Sequence, residues 1–136
     1  IFKHHNPDIQ IFTTEPEEWN DQERSYASGT IQTAPASASG LCDGLLTPEP
    51  GGIPFSINLA LGIQGLSCEE QYIFDAMRLA KEAFAVELEP SGAIALANLI
   101  KYKDKFQKKN VFLTFSGGNV DPEIFNECTA KAILGL

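Results

Sequence analysis

The sequence feature that most restricts the fold is a short apolar segment that leads directly into a glycine-rich turn. Residues 110–115 are rich in β-branched and aromatic side chains, which predicts a buried strand. Ser116-Gly117-Gly118-Asn119 follows at once, and Asp121-Pro122-Glu123 then has the composition of a helix start. A strand, a turn and a helix in this order favour an α/β sheet, in which ligands bind where strands end.

The rest of the chain alternates strand-like and helix-like patterns. Residues 8–14 alternate apolar and polar side chains and predict a strand that ends at Glu15-Pro16, and residues 84–88 predict a second, short strand. Helices are predicted at residues 16–28, 53–62 and 68–83, after Pro90, and after Asp121. Residues 30–52 have turn chemistry and no sustained period, which predicts a loop. The expected fold is an open, twisted, mostly parallel sheet flanked by helices.

Two local details are expected around the helix at residues 68–83. The Ser67 hydroxyl can accept a hydrogen bond from the Glu70 amide, which would form a capping box. An apolar stripe typical of a core-facing surface consists of Ile73, Met77, Ala80 and Phe84.

Composition and charge argue against several classes of function. The chain has 18 acidic residues against 10 Lys plus Arg, a formal charge of −8, so a nucleic-acid partner is not expected. Apolar runs fall short of the roughly 20 residues that span a bilayer, and the start lacks a signal-peptide pattern. We therefore expect a soluble, cytoplasmic chain without membrane contact. Its three widely spaced cysteines predict neither a disulfide framework nor a zinc site.

Residues 1–7 have the pattern of a final helical turn, with apolar residues, then basic residues, then an Asn6-Pro7 stop. The start of that helix would lie before Ile1. We therefore expect the chain to be part of a larger protein.

The Ser116-Gly117-Gly118-Asn119 turn is the strongest candidate for ligand binding. Its glycines let a backbone approach a ligand closely, and a hydroxyl can donate to a weakly basic ring nitrogen without imposing a charge. The alternative is a tight strand-to-helix turn whose polar side chains satisfy local backbone groups.

Several carboxylates have two interpretations each. Glu15 and Asp21 are six residues apart beyond a predicted strand end and could hold a divalent cation, or they could belong to an exposed acidic helix face. Glu89 could polarise a cofactor or only complement a helix dipole. Asp43 lies in the long loop and has turn chemistry. The sequence has no GxSxG, Walker or HExxH motif.

Four motifs, in this order and spacing, resemble the C-terminal part of the pyridoxal-phosphate-dependent serine/threonine dehydratase family. They are Glu15-Pro16, Cys42-Asp43-Gly44-Leu45, Glu89-Pro90-Ser91-Gly92-Ala93 and Ser116-Gly117-Gly118-Asn119-Val120-Asp121. Serine racemase and threo-3-hydroxyaspartate ammonia-lyase are relatives of that family. The resemblance covers essentially residues 1–136 and implies the C-terminal part of the large domain of a fold-type II, tryptophan synthase β-like enzyme.

The resemblance also implies site residues. Ser116 would donate to the pyridine nitrogen of pyridoxal phosphate, which makes the ring a weaker electron sink than a carboxylate partner would. The residues placed around this cofactor are Gly44, Glu89, Ser116, Gly117, Gly118 and Asn119. Asp43 and Thr47 would lie near the substrate. A Mg²⁺ or Ca²⁺ ion would be held by Glu15, the backbone carbonyl of Trp19 and Asp21.

Two motifs of the family are absent from this sequence. The Schiff-base lysine belongs to a Ser-Phe-Lys motif and the cofactor phosphate rests on a run of glycines, and none of the eight lysines here matches the catalytic one. No catalytic residue is therefore assigned in this chain, which we expect to be inactive without the missing N-terminal part. The full-length protein would be a homodimer.

The implied activity is that of an ammonia-lyase, or dehydratase. It would convert a β-hydroxy amino acid (serine, threonine or 3-hydroxyaspartate) to a 2-oxo acid and ammonia. Racemisation of serine or another amino acid by a member of the same family is one alternative. A non-catalytic structural fragment is the other.

Overall fold

A parallel pair of strands organises the computed structural model, which describes residues 1–37 and 39–134. Strand β1 (Phe12–Pro16) pairs with β2 (Gln64–Cys68), so that Phe12 lies opposite Gln64 and Pro16 lies opposite Cys68. Strands that run in the same direction need a long crossover, and here it contains two helices and the long loop. The parallel sheet with flanking helices confirms the predicted α/β fold class.

The helices fall close to their predicted positions. They are α1 (Phe2–His5), α2 (Asp21–Ser28), α3 (Gly52–Ala60), α4 (Glu70–Phe84), α5 (Pro90–Lys101) and α6 (Pro122–Ala130). Gly29 ends α2 in the left-handed conformation, with φ of 72°. Asp121 caps α6 by accepting a hydrogen bond from the Glu123 amide at 2.8 Å. Local start and stop signals therefore set these boundaries.

The core lies where α4 and α5 pack together and α6 covers them. Ile73, Met77 and Ala80 of α4 are fully buried, and they meet Ala93 and Ala97 of α5. Small alanine side chains let the two helices approach closely. The three cysteines are buried and reduced, and burial raises the pKa of both Cys42 and Cys68 to about 12. All three are packing residues of the hydrophobic core.

The strands predicted at residues 84–88 and 110–115 are not formed. Phe84 is the last residue of α4, and residues 110–120 have no regular secondary structure. The segment at residues 110–115 is only partly buried, because Phe112 is 87% exposed while Leu113 and Phe115 pack against the core. A strand needs a neighbour to complete its hydrogen bonds, and the described part of the chain pairs no strand with either segment.

Two side-chain predictions are also wrong, both for reasons of tertiary contact. Ser67 does not cap α4, because pairing with β1 draws it into β2, and its hydroxyl donates to the Glu23 carboxylate instead. Glu69 is the residue that precedes α4. Phe84 is 58% exposed rather than buried, and its ring packs edge-on against Phe115. The last turn of α4 extends beyond the buried core.

Membrane insertion has no candidate among the helices that the structure describes. None of them combines the length and the apolar composition needed to cross a bilayer.

Candidate active site

The glycine turn is held against the start of α5 by contacts that leave no room for a side chain. Gly117 has φ of 110°, and a Cβ atom there would lie 2.3 Å from Glu89 Oε1. The Glu89 amide also donates to the Gly117 carbonyl at 3.1 Å. Both the conformation and the space at position 117 therefore require glycine.

Gly92, in the first turn of α5, makes a second close approach to the same turn. A Cβ atom at position 92 would lie 2.4 Å from the Gly117 carbonyl oxygen and 2.9 Å from that of Ser116. A Cβ atom at Gly118 would lie 3.0 Å from the Glu87 carbonyl oxygen. The structure thus brings the predicted cofactor residues of the turn together with Glu89.

The Asp43–Gly44 loop reaches this region through a residue that the sequence analysis did not select. The Gly44 amide donates to Ser91 Oγ at 3.1 Å, and Ser91 Oγ lies 3.5 Å from Asp43 Oδ1. Ser91 is 6% exposed. The signal that would have identified it is a hydroxyl residue in the first turn of a helix, inside a motif already selected for Glu89.

The acidic pair occupies a different place, where β1 ends and α2 begins. Glu15 is buried, and its two carboxylate oxygens accept hydrogen bonds from the Gln22 and Glu23 amides at 3.1 and 2.9 Å. These amides belong to the first turn of α2 and have no partner within the helix. Glu15 therefore caps α2 from a neighbouring strand.

Burial governs the ionisation of this pair. It raises the pKa of Glu15 from 4.5 to about 7, against the opposing effect of the two amides, and the nearby Asp21 carboxylate raises it further. Burial also raises the pKa of Asp21, which is 3% exposed. Among residues 1–37 and 39–134, no Lys or Arg lies within salt-bridge distance of either carboxylate. The Arg24 guanidinium favours the ionised form of Asp21, but burial outweighs it and neither acid has a salt-bridge partner in the described chain.

A cavity of about 210 Å³ lies beside these two acids. Its wall includes Glu15, Asp21, Gly44, Thr47 and Glu49. Three of the predicted groups thus face one space: the acidic pair, Gly44 of the cofactor set and Thr47 of the substrate set. Nothing in the sequence marks Glu49 as a site residue beyond its position in the Pro48-Glu49-Pro50 turn.

The predicted residues Asp43, Ser116, Asn119 and Trp19 do not line this cavity. Ser116, Asn119 and Asp43 are exposed. Trp19 ends a 3₁₀ turn (Glu17–Trp19) between the two acids, and its buried indole nitrogen has no hydrogen-bond partner in the described chain. No group of three or more His, Cys, Asp or Glu side chains converges as a metal cluster within residues 1–37 and 39–134.

The residues present fit both groups that the family resemblance implies. A planar ring needs a surface of backbone without side chains, and Gly117 and Gly118 supply one, with the exposed Ser116 directly before them. A divalent cation needs hard oxygen ligands, and two buried carboxylates without a salt bridge in the described chain supply them. The two candidate sites meet at Gly44.

Comparison with known proteins gives a consistent result. A family model described as "pyridoxal-phosphate dependent enzyme" matches residues 1–117. Serine racemase of Dictyostelium discoideum is 39% identical over 119 residues, which are 85% of this chain and 36% of that protein. L-threo-3-hydroxyaspartate ammonia-lyase of a Pseudomonas species is 30% identical over 118 residues, which are 87% of this chain and 37% of that protein.

Solved structures show the same similarity. Maize serine racemase aligns with a TM-score of 0.80 at 30% identity, covering 95% of this chain and 42% of that one. The T.th. threonine deaminase aligns with a TM-score of 0.78 at 30% identity, covering 88% and 43%. The chain thus spans well under half the length of the relatives that it matches. With the family model covering most of its residues, this chain belongs to the pyridoxal-phosphate-dependent enzymes, and its fold is that of serine racemase and threonine deaminase.

Proposed function

We propose that this chain forms the C-terminal part of the large domain of an ammonia-lyase that converts a β-hydroxy amino acid to a 2-oxo acid and ammonia. Serine, threonine and 3-hydroxyaspartate are the candidate substrates. Ammonia-lyase and deaminase relatives support this class of reaction. The Schiff-base lysine and the phosphate-binding glycines would come from the part of the protein outside this chain.

The observation that carries the proposal is the backbone surface at residues 116–118, packed against Glu89 and Gly92 without room for a Cβ atom. Pyridoxal phosphate, when bound, supplies an electron-withdrawing ring that stabilises negative charge at the α-carbon of the amino acid. The Ser116 hydroxyl would donate to the ring nitrogen without adding charge. Gly117, Gly118 and Asn119 would shape the surface beneath the ring.

Glu89 and the loop at residues 43–47 would complete this chain's contribution. The Glu89 carboxylate lies against Gly117, at the edge of the proposed ring position. Gly44 would present its backbone to the cofactor from the other side. Asp43 and Thr47 would lie near the substrate, where the Thr47 hydroxyl can donate to the substrate carboxylate.

A divalent cation, Mg²⁺ or Ca²⁺, would bind Glu15, the Trp19 carbonyl and Asp21. The support is the burial of two carboxylates beside a cavity, without a Lys or Arg ion pair in the described chain. Isolated buried charges are costly, and a cation between them removes that cost. A bound cation would then hold the start of α2 against the end of β1 and fix the adjoining loop.

Racemisation is a second candidate for a specific reason. Serine racemase of Dictyostelium discoideum, at 39% identity, and serine racemases of rice, at 33%, are among the relatives. A racemase needs a proton donor on each face of the substrate, and the described residues around Ser116 supply no second acid–base pair that would distinguish the two reactions. The full-length protein would form a homodimer in either case.

The test is turnover by the protein expressed from its complete reading frame and loaded with pyridoxal phosphate. We expect ammonia release from at least one of L-serine, L-threonine and L-threo-3-hydroxyaspartate. Ser116→Ala removes one hydrogen bond and should lower turnover about tenfold, whereas Ser116→Thr keeps a hydroxyl and should retain most of it. D-serine formation without ammonia would establish the racemase, and neither product from any substrate would contradict both.

The cation site has a separate test. Calorimetric titration with Mg²⁺ and with Ca²⁺ should show binding by the wild type and at least a tenfold loss in Asp21→Asn. Asp8→Asn is the matched control, because Asp8 is an exposed acid outside the site. Flat traces for the wild type with both ions would reject the site and leave the cofactor proposal untouched.

A further inference from the structure

Ser91 joins α5 to a loop that is distant in sequence. Its hydroxyl accepts a hydrogen bond from the Gly44 amide at 3.1 Å, and the same oxygen lies 3.5 Å from Asp43 Oδ1, to which it can donate. A hydroxyl has one proton to donate, so Ser91 donates that proton in a hydrogen bond to the Asp43 carboxylate, while a lone pair of Ser91 Oγ accepts from the Gly44 N–H. Because Ser91 is 6% exposed, water competes little for either bond.

Gly92, the next residue, joins the same helix to the Ser116–Gly117 turn. A Cβ atom at position 92 would lie 2.4 Å from the Gly117 carbonyl oxygen, so helix and turn are in direct backbone contact. Ala93 and Ala97 of α5 are fully buried, which keeps the helix in a fixed position. Two consecutive residues therefore contact the loop on one side and the turn on the other.

We propose that Ser91 is a positioning residue that fixes the Gly44 amide relative to the Ser116 turn and so sets the width of the cofactor site. This inference rests on the proposed function, because Gly44 and Ser116 bound a cofactor site only in that proposal. Ser91 acts through Gly44 and does not touch the cofactor. The space around it is also limited, since a Cβ atom on Gly44 would lie 3.2 Å from Ser91 Oγ.

Three variants at position 91 separate the hydrogen bond from the volume of the side chain. Ser91→Ala removes the hydroxyl, and Ser91→Thr keeps it. Ser91→Cys keeps the volume of the side chain but replaces the hydroxyl with a thiol, which is a weak donor and acceptor. Two quantities are measured in the protein expressed from its complete reading frame: amide hydrogen exchange at Gly44 and the dissociation constant of pyridoxal phosphate, from its fluorescence.

We expect faster exchange at Gly44 and about tenfold weaker cofactor binding in Ser91→Ala and Ser91→Cys, with both restored in Ser91→Thr. If Ser91→Ala does not fold, Ser91→Cys carries the comparison. Unchanged exchange or unchanged cofactor affinity in the Cys variant would overturn the inference, as would a Thr variant that behaves like Cys. A wild type that binds no pyridoxal phosphate would instead overturn the proposed function, and the exchange result does not depend on it.

Discussion

The two candidate sites differ in how much of each is enclosed by this chain. The acidic pair is buried between β1 and α2, and Glu15 is held by two helix amides. The proposed cofactor turn, residues 116–119, is packed on one side against α5, but Ser116 and Asn119 are exposed and the preceding residues pair with no strand in the described chain. The acidic site is formed by contacts within this chain, whereas this chain would provide only one wall of the proposed cofactor site. Gly44 lies on the wall of the cavity beside the acidic pair and is hydrogen-bonded to Ser91 of α5.

The largest expected effect comes from adding one methyl group to a glycine in each region. A Cβ atom on Gly65 of β2 would lie 2.2 Å from the Glu23 Cα of α2, so Gly65→Ala pushes two packed elements apart. The methyl group of Gly92→Ala would contact the backbone of the turn at residues 116–117, which is exposed rather than enclosed between two packed elements. We expect a loss of about 3 kcal/mol of unfolding free energy for Gly65→Ala and about 1 kcal/mol for Gly92→Ala.

Urea unfolding of both variants measures this difference. Gly52→Ala is the control, because nothing lies within 4 Å of the added atom and φ is ordinary, so its stability should stay within about 0.5 kcal/mol. Equal losses of unfolding free energy for Gly65→Ala and Gly92→Ala would show that the turn at residues 116–117 is as rigid as the sheet. Gly92→Ala should also weaken cofactor binding, which Gly65→Ala should not affect directly.

A smaller effect is expected from the pH dependence of the acidic region. The pKa of Glu15 is raised in the folded chain to about 7 from 4.5. Its favourable contribution is therefore complete below pH 4.5 and is lost as the pH rises through 7, because the folded state then has to hold a buried anion. Without added cation, unfolding free energy should fall by on the order of 2 kcal/mol between about pH 5 and pH 8.

Glu15→Gln should flatten this dependence, and Glu17→Gln, at an exposed acid in the next turn, should leave it in place. Saturating Mg²⁺ should also reduce the fall, because a ligand that binds the ionised folded form stabilises it. A pH profile identical in the wild type and Glu15→Gln would mean that Glu15 stays ionised in the fold.

The smallest effect is expected on the exposed side of residues 110–115. Phe112 is 87% exposed, so Phe112→Ser should change the unfolding free energy of this chain by less than about 0.5 kcal/mol. Phe115→Ser, on the face that packs against the core, should cost about 1–2 kcal/mol. If Phe112→Ser lowers the melting temperature of the protein expressed from its complete reading frame, another part of that protein covers the ring.

Sequence patterns predicted the helices well because their signals are local. Pro90 starts α5, Asp121 caps α6 and Gly29 ends α2, each through backbone groups within one turn. Strands depend on a partner that can lie anywhere in the chain. For that reason the sequence does not indicate β2, and it predicts a buried strand at residues 110–115 that is not formed. The Ser67 capping box failed in the same way, since pairing with β1 overrode a local preference.

For the candidate sites, the amino-acid sequence establishes which chemical groups are available, namely a hydroxyl next to two glycines and two carboxylates six residues apart. It also carries a family resemblance that comparison with known proteins confirms. The surroundings of these groups follow from the tertiary fold. It buried Glu15 and Asp21, placed Glu89 against Gly117, and linked Gly44 to α5 through Ser91. Burial and close approach depend on which distant segments pack together, and a pattern along one segment does not contain that information.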